Sequence, residues 1–90
     1  MPYQFERVKN MKIKLLGSST CQVCQGLEKV LFNVLAELDV DAEVEKIYEV
    51  DKIMSYDVYA IPGVVINEKV KVRGRAPNKQ ELMTWIKEEM

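Results

Sequence analysis

Two cysteines, Cys21 and Cys24, are the residues of this 90-residue chain whose types and spacing point most directly to chemistry. The chain has no other cysteine and no histidine, so it lacks both an imidazole base and a Cys–His pair. A disulfide between residues this close closes a very small loop and restrains the unfolded chain little, so it is a poor stabilising crosslink. We therefore expect the two thiols to act chemically, as a pair.

The predicted position of the pair makes its two members different. Residues 17–20 are turn formers and helix N-cap candidates, and an amphipathic helix follows them. At the N-terminus of that helix, unpaired backbone N–H groups and the positive end of the helix dipole stabilise a thiolate at Cys21. Cys24 begins the apolar stripe of the helix, so we expect it to be buried. The pattern predicts that Cys21 attacks and that Cys24 resolves the mixed disulfide.

The same segment is compatible with two other kinds of protein. A loop-borne Thr-Cys-x-x-Cys that opens a helix also occurs in copper(I) metallochaperone domains, where two thiolates hold the ion. A domain that docks a partner without turnover is the third possibility. The order of the surrounding elements helps to separate these alternatives, because metallochaperone domains end on a strand.

The apolar pattern predicts an α/β domain of order β-α-β-α-β-β-α that ends on a helix. The predicted elements are strands over 13–16, 42–47, 64–66 and 70–72, and helices over 24–38, 50–54 and 78–89. The spacing of Val50, Ile53 and Met54 predicts a short second helix of about two turns. In the last strand, Val70 and Val72 alternate with charged residues, which predicts a single core-facing side.

Composition and charge exclude several partners. The net charge is −1 and the lysines and glutamates are interspersed, which offers no electrostatic case for nucleic acid. No apolar run is long enough to span a membrane, and the first residues lack the apolar core of a signal peptide, so we expect a cytoplasmic protein. We expect one domain over residues 11–90, with residues 1–10 as an extension that forms an edge strand or frays.

A second motif lies some forty residues after the cysteines, where Ile61-Pro62 leads into a predicted strand. Together with the Cys-x-x-Cys helix, the segment Tyr56–Ile66 resembles the thioredoxin-like superfamily. Gly74-Arg75-Ala76-Pro77 is similar to the stretch before the last helix in short thioredoxins and glutaredoxin-like redox-active disulfide proteins. The resemblance runs from Lys12 to about Glu89. It implies a thioredoxin-like fold, a four-stranded mixed sheet flanked by three helices.

The resemblance also implies a function and a set of site residues. The protein is expected to be a protein-disulfide reductase and electron carrier that acts as a monomer, with Cys21 and Cys24 catalytic and with neither cofactor nor metal. Pro62 is implied to be a cis-proline beside the disulfide, where Ile61, Pro62 and Thr20 bind the substrate and the Ile61 backbone pairs with an extended substrate segment. Electrons come from a thioredoxin-reductase-like protein or a low-molecular-weight thiol. Thioredoxins proper place tryptophan where this chain has Thr20 and a buried acid where it has Leu15.

Overall fold

The computed structural model describes residues 11–89, so the N-terminal extension predicted for residues 1–10 lies outside the described residues. The domain limits at residues 11 and 90 therefore stay a prediction. The elements in chain order are β1 (Met11–Leu16), α1 (Gln22–Leu38), β2 (Ala42–Ile47), α2 (Val50–Met54), β3 (Gly63–Ile66), β4 (Lys69–Arg73) and α3 (Lys79–Glu88). This order confirms the predicted β-α-β-α-β-β-α arrangement.

The four strands form one mixed sheet in the order β2-β1-β3-β4. β1 pairs in parallel with β2 and antiparallel with β3, and β3 pairs antiparallel with β4. β1 and β3 are thus the interior strands, and both faces of each must be covered. β2 is an edge strand, and its exposed Glu43 and Glu45 are the kind of charged side chains that discourage edge-to-edge pairing.

Side chains on the two faces of the sheet enter two apolar cores. α1 and α3 pack together over the first face, where the largest cluster gathers residues from β1, β3, β4 and both helices. A smaller cluster on the second face consists of Leu16, Ile47, Ile53, Val58 and Val65. Because neighbouring residues of a strand point to opposite faces, Leu15 and Leu16 contribute to different cores.

α1 is a helix because its apolar residues recur at steps of three and four and face the first core. Its fully buried residues, Leu27, Leu31, Val34 and Leu35, all belong to the predicted stripe. The helix ends at Asp39, which adopts the left-handed conformation with φ of 53°. Within residues 11–89, no helix is both long enough and apolar enough to cross a membrane.

The structure corrects the prediction that the fourth strand has a single core-facing side. Val64 pairs with Val72 and Val65 pairs with Val70, so the register shifts between these positions and Lys71 forms a β-bulge. The bulge turns Val70 and Val72 to opposite faces of the sheet, where they contact different cores. Period-two alternation could not show this, because an extra residue in the strand reverses the facing of everything after it.

The structure also corrects the length of the second helix, which has five residues where about two turns were expected. Only Ile53 is buried, whereas Val50 is 65% exposed and Met54 is 46% exposed. α2 has five residues, so it presents little more than one turn to the sheet and can bury a single side chain. Val50 and Met54 instead line a surface depression together with Tyr59 and Ile61.

α3 begins with a capping box, as the Asn78 and Glu81 spacing predicts. The Asn78 side chain accepts a hydrogen bond from the Glu81 amide at 2.8 Å, and the Asn78 amide donates to the Glu81 carboxylate at 3.0 Å. Arg75 donates two further hydrogen bonds to the same carboxylate, at 2.9 and 2.7 Å. The Arg75 guanidinium, and then the Asn78 amide, lower the pKa of Glu81 to about 2.

This arrangement predicts the titration of Glu81. Replacing Arg75 (Arg75→Gln) should raise the Glu81 pKa from about 2 toward the ordinary 4.5, though not fully, since the Asn78 amide remains. Because the folded-state pKa is lowered, the stabilisation is complete above pH 4.5 and is lost as the pH falls through 2. An NMR titration of the Glu81 carboxyl carbon measures the shift. Arg73→Gln is the control, because Arg73 donates to the Asp57 carbonyl instead. An unchanged Glu81 midpoint in Arg75→Gln would contradict this account.

Candidate active site

Cys21 and Cys24 form a disulfide at the start of α1, with their Cα atoms 5.3 Å apart. Cys21 is the N-cap of the helix, and its Sγ accepts a hydrogen bond from the backbone N–H of Cys24 at 3.1 Å. The first turn of α1 contains no acidic residue. A negative charge on the Cys21 sulfur would therefore meet a backbone donor and the positive end of the helix dipole, with no carboxylate in that turn to oppose it.

The loop before the helix is held by its own side chains. The Ser18 hydroxyl accepts a hydrogen bond from the Thr20 amide at 3.2 Å and lies 3.1 Å from the Thr20 hydroxyl. The Ser18 carbonyl accepts from the Cys21 amide at 3.1 Å, and the Gln25 side chain donates to the Ser19 carbonyl at 3.1 Å. Serine and threonine favour such local bonds, which here set the entry of the chain into α1.

The burial expected for Cys24 is wrong, because both cysteines are half-buried in the disulfide form. The fully buried part of the α1 stripe begins at Leu27, one turn later. Helical periodicity shows which face of a helix points inward, but it does not show how far the neighbouring elements extend along that face. The two thiols therefore differ in their hydrogen bonds rather than in gross exposure.

Gly17 provides the close contact between β1 and the disulfide. Its amide donates to the Ile47 carbonyl at 3.0 Å, which ties the residue after β1 to the end of β2. A Cβ atom at this position would lie 2.8 Å from Cys24 Sγ, closer than carbon and sulfur can pack. Any larger residue here must therefore displace Cys24 or the backbone, whereas the sequence indicated only a turn former.

The structure brings Pro62 to the cysteines. The Ile61–Pro62 peptide bond is cis, Pro62 is buried, and Pro62 and Cys24 line the same cavity. The Pro62 carbonyl accepts a hydrogen bond from the Gly74 amide at 2.9 Å. Ile61, which precedes Pro62, is 37% exposed. Thr20, which precedes Cys21 in the Cys-x-x-Cys motif, is also exposed. The cavity thus joins the two sequence motifs, although some forty residues separate them.

Three ionisable residues near Cys24 were missed by the sequence interpretation. Glu28, Lys46 and Tyr48 line the cavity that contains Cys24 and Pro62. Glu28 pairs with Lys46 at 3.3 Å, across the junction of α1 and β2. The spacing of four residues between Cys24 and Glu28 was a usable signal, since it places both on one helix face. No local sequence pattern identifies Lys46 and Tyr48, because the parallel pairing of β2 with β1 brings them there.

Over residues 11–89, no group of three or more Cys, Asp or Glu side chains is arranged to hold a metal ion.

Comparison with known proteins places this site in a family. The family model of the thioredoxin domain matches residues 11–87. A thioredoxin of Methanothermobacter thermautotrophicus is 40% identical over 72 residues, covering 80% of this chain and 92% of that protein. A thioredoxin of Methanocaldococcus jannaschii is 34% identical over 86 residues, covering 92% of this chain and 100% of that protein.

Solved structures support the same fold. An uncharacterised thioredoxin-like protein from Clostridium perfringens superposes with a TM-score of 0.68 at 21% identity, covering 87% of this chain and 69% of that one. Thioredoxin 1 of Thermosipho africanus superposes with a TM-score of 0.62 at 23% identity, covering 87% of this chain and 92% of that one. At these identities the likeness shows the fold, a thioredoxin-like mixed sheet with three helices.

The contact between Gly17 and Cys24 predicts opposite effects for two glycine substitutions. Gly17→Ala should destabilise the oxidised protein by about 1–3 kcal/mol, because the new methyl group must displace Cys24 Sγ or the backbone. Gly26→Ala, on the exposed side of α1 where a Cβ meets nothing within 4 Å, should stabilise it by about 0.5–1 kcal/mol. Denaturant unfolding of the oxidised variants measures both. Equal, small effects at the two positions would show that the space around Cys24 is not limiting.

Proposed function

The chain belongs to the thioredoxin domain family, and on that premise we propose that it reduces disulfide bonds of other proteins, with Cys21 as the nucleophile and Cys24 as the resolving thiol. Its relatives and its cysteine pair make it a thiol–disulfide oxidoreductase. The observation that carries the assignment of roles is the hydrogen bond from the Cys24 amide to Cys21 Sγ at 3.1 Å. A donor aimed at one sulfur from the helix N-terminus favours the thiolate of that residue.

The proposed reaction is two successive thiol–disulfide exchanges. The Cys21 thiolate attacks one sulfur of the substrate disulfide, and the other sulfur leaves as a thiolate that takes up a proton. The Cys24 thiol then loses its proton and attacks Cys21 Sγ, which releases the second substrate sulfur. The dithiol of the protein is oxidised to the Cys21–Cys24 disulfide by two electrons, and the substrate disulfide is reduced to two thiols.

The substrate is proposed to dock beside Pro62. Among residues 11–89, no hydrogen bond reaches the backbone of Ile61, so its amide and carbonyl are available to an extended segment. Thr20 contributes the opposite side of this docking site, next to Cys21. The exposed side chains of Val50, Met54, Tyr59 and Ile61 form an apolar patch along one depression, and Tyr59 is 72% exposed. Such a patch fits apolar residues that flank a substrate cysteine.

Regeneration needs a source of two electrons for the Cys21–Cys24 disulfide. As in the thioredoxin family generally, disulfide substrates and a reductase are the expected partners. We propose either a thioredoxin-reductase-like protein or a low-molecular-weight thiol as the donor. The monomeric state and the cytoplasmic location stay predictions.

The proposed roles predict unequal reactivity of the two reduced cysteines. At pH 7, iodoacetamide should modify Cys21 at least about tenfold faster than Cys24, because a helix N-terminus lowers a Cys-x-x-Cys thiol pKa from about 8.5 to about 7. Peptide mass spectrometry of quenched samples measures the two rates. Cys24→Ser should retain the fast alkylation and should accumulate a mixed disulfide with a protein substrate, while Cys21→Ser should abolish insulin reduction. Equal alkylation of both thiols, or turnover by Cys21→Ser, would reject this assignment.

The docking proposal predicts that a change at Ile61 slows the reduction of protein disulfides more than that of small disulfides. Ile61→Asp should lower kcat/KM for a protein disulfide about tenfold, as expected when an interface loses one central apolar contact. It should change the reduction of a small aromatic disulfide far less, because that substrate does not need the patch. Phe32→Asp is the matched control, since Phe32 is also an exposed apolar residue, at 48%, but lies in the middle of α1. Equal losses with both substrates would argue against a docking role for Ile61.

A further inference from the structure

The loop between α2 and β3 presents Ile61 to the proposed substrate, yet its central part has little support of its own. Over the described residues, the backbone of Tyr59, Ala60 and Ile61 makes no hydrogen bond. All three residues are also exposed, so they gain little from packing. Their position therefore depends on the contacts that hold the chain before and after them.

The chain after this segment is held by the sheet. The Pro62 carbonyl accepts a hydrogen bond from the Gly74 amide at 2.9 Å, and the next residue, Gly63, pairs with Arg73 in the ladder between β3 and β4. Arg73 is the last residue of β4, so it lies directly opposite the point where the loop enters β3.

The chain before the segment is bonded to the Arg73 side chain. Arg73 Nε donates a hydrogen bond to the Asp57 carbonyl at 3.0 Å, and among the described side chains no other donates to the backbone of residues 56–62. Asp57 has a φ of 62°, in the left-handed region that residues with a Cβ seldom adopt. Such a conformation persists where surrounding contacts hold it, and the bond from Arg73 is a contact of this kind.

Burial by itself does not set the direction in which the loop leaves the core. Val58 follows Asp57 and is completely buried in the second core, which fixes one point of the chain. A second fixed point is needed to orient the exposed residues that come next. The hydrogen bond between Arg73 and Asp57 supplies that point, because it ties the residue before Val58 to the end of β4.

The simpler role for an exposed arginine on an edge strand is to keep the edge charged and solvated. That role requires a charge but no defined contact. The bond that Arg73 makes is to a neutral backbone carbonyl, so it depends on the Nε–H donor rather than on the charge. The two roles can therefore be separated by substitutions that remove the charge but differ in the donor.

We propose that Arg73 is a positioning residue for substrate docking, which holds the Asp57 carbonyl and so orders the segment that presents the Ile61 backbone. The inference rests on the proposed function, because it concerns how a protein disulfide is bound beside Pro62. A loop that is already ordered in its binding conformation loses less conformational freedom when the substrate binds. Arg73 thus favours docking and leaves the two thiol–disulfide exchanges unchanged.

The test compares Arg73→Met with Arg73→Gln. The side-chain nitrogen of glutamine and the terminal methyl group of methionine both occupy the chain position of arginine Nε, and only glutamine keeps an N–H donor there. Single-turnover oxidation of the reduced protein by excess insulin, stopped with acid and alkylation, is measured over a range of insulin concentrations. Arg73→Met should raise the half-saturating concentration about fivefold, as expected for the loss of one hydrogen bond, with the limiting rate unchanged. Arg73→Gln should remain close to the wild type.

Two further readouts distinguish positioning from a general loss of structure. The rate of reaction with dithiobis-nitrobenzoate should be unchanged in both variants, because this small disulfide reaches Cys21 without docking along the loop. NMR order parameters of the backbone amides of residues 59–61 should fall in Arg73→Met and not in Arg73→Gln. Arg75→Met is the matched control, since Arg75 is also an exposed arginine but donates to Glu81 at the start of α3. It should leave both the half-saturating concentration and these order parameters unchanged.

The outcomes separate the role of Arg73 from the proposed function. Equal losses of insulin affinity in Arg73→Met and Arg73→Gln would show that the charge acts and not the donor, and would overturn the positioning role. An unchanged half-saturating concentration in Arg73→Met would overturn it as well, while the proposed function would stand. A wild-type protein that leaves insulin oxidised would instead overturn the proposed function, and the role of Arg73 with it.

Discussion

The close packing of Gly17 against Cys24 is the contact on which the arrangement of the site depends. β1 is an interior strand, and the Gly17 amide is bonded to the Ile47 carbonyl at the end of β2, so the chain leaves the sheet at a defined point. Because Gly17 has no side chain, the first turn of α1, which carries Cys24, can pack directly against the end of β1. Cys21 is the N-cap of the helix held at this distance, and its sulfur accepts a hydrogen bond from the Cys24 amide.

The burial of β1 on both faces also affects which ionisable side chains lie near the disulfide. Leu15 and Leu16 pack into opposite cores, so the end of this strand supplies no ionisable side chain to the site. The ionisable side chains that line the cavity beside Cys24 come from α1 and from the end of the edge strand β2. This is why the Glu28–Lys46 pair, rather than a group within the sheet, lies beside Cys24.

The elements that could be predicted are those whose formation depends on neighbours in sequence. The α1 stripe, the strand order along the chain and the capping box of Asn78 and Glu81 are local patterns, and the structure confirms them. The predictions that failed concern burial. Cys24 is only half-buried because the buried part of the α1 stripe begins one turn later, and Val70 turns away from Val72 because of the bulge at Lys71. Each depends on the extent of a packing partner or on strand register, which a periodic pattern does not contain.

The amino-acid sequence by itself determined the chemistry that is available. It set two thiols one helical turn apart at a helix start, no histidine, and an Ile-Pro before a strand. Only the tertiary structure decided which groups share a site, because the parallel pairing of β2 with β1 and the antiparallel pairing of β3 with β1 bring distant segments to one end of the sheet. Lys46 and Tyr48 line a cavity with Cys24 there, and nothing in their positions along the chain indicates it, whereas Pro62 was expected beside the disulfide only from the family resemblance. Local propensities act over a few residues, whereas the site is assembled by strand pairing and close packing across the whole domain.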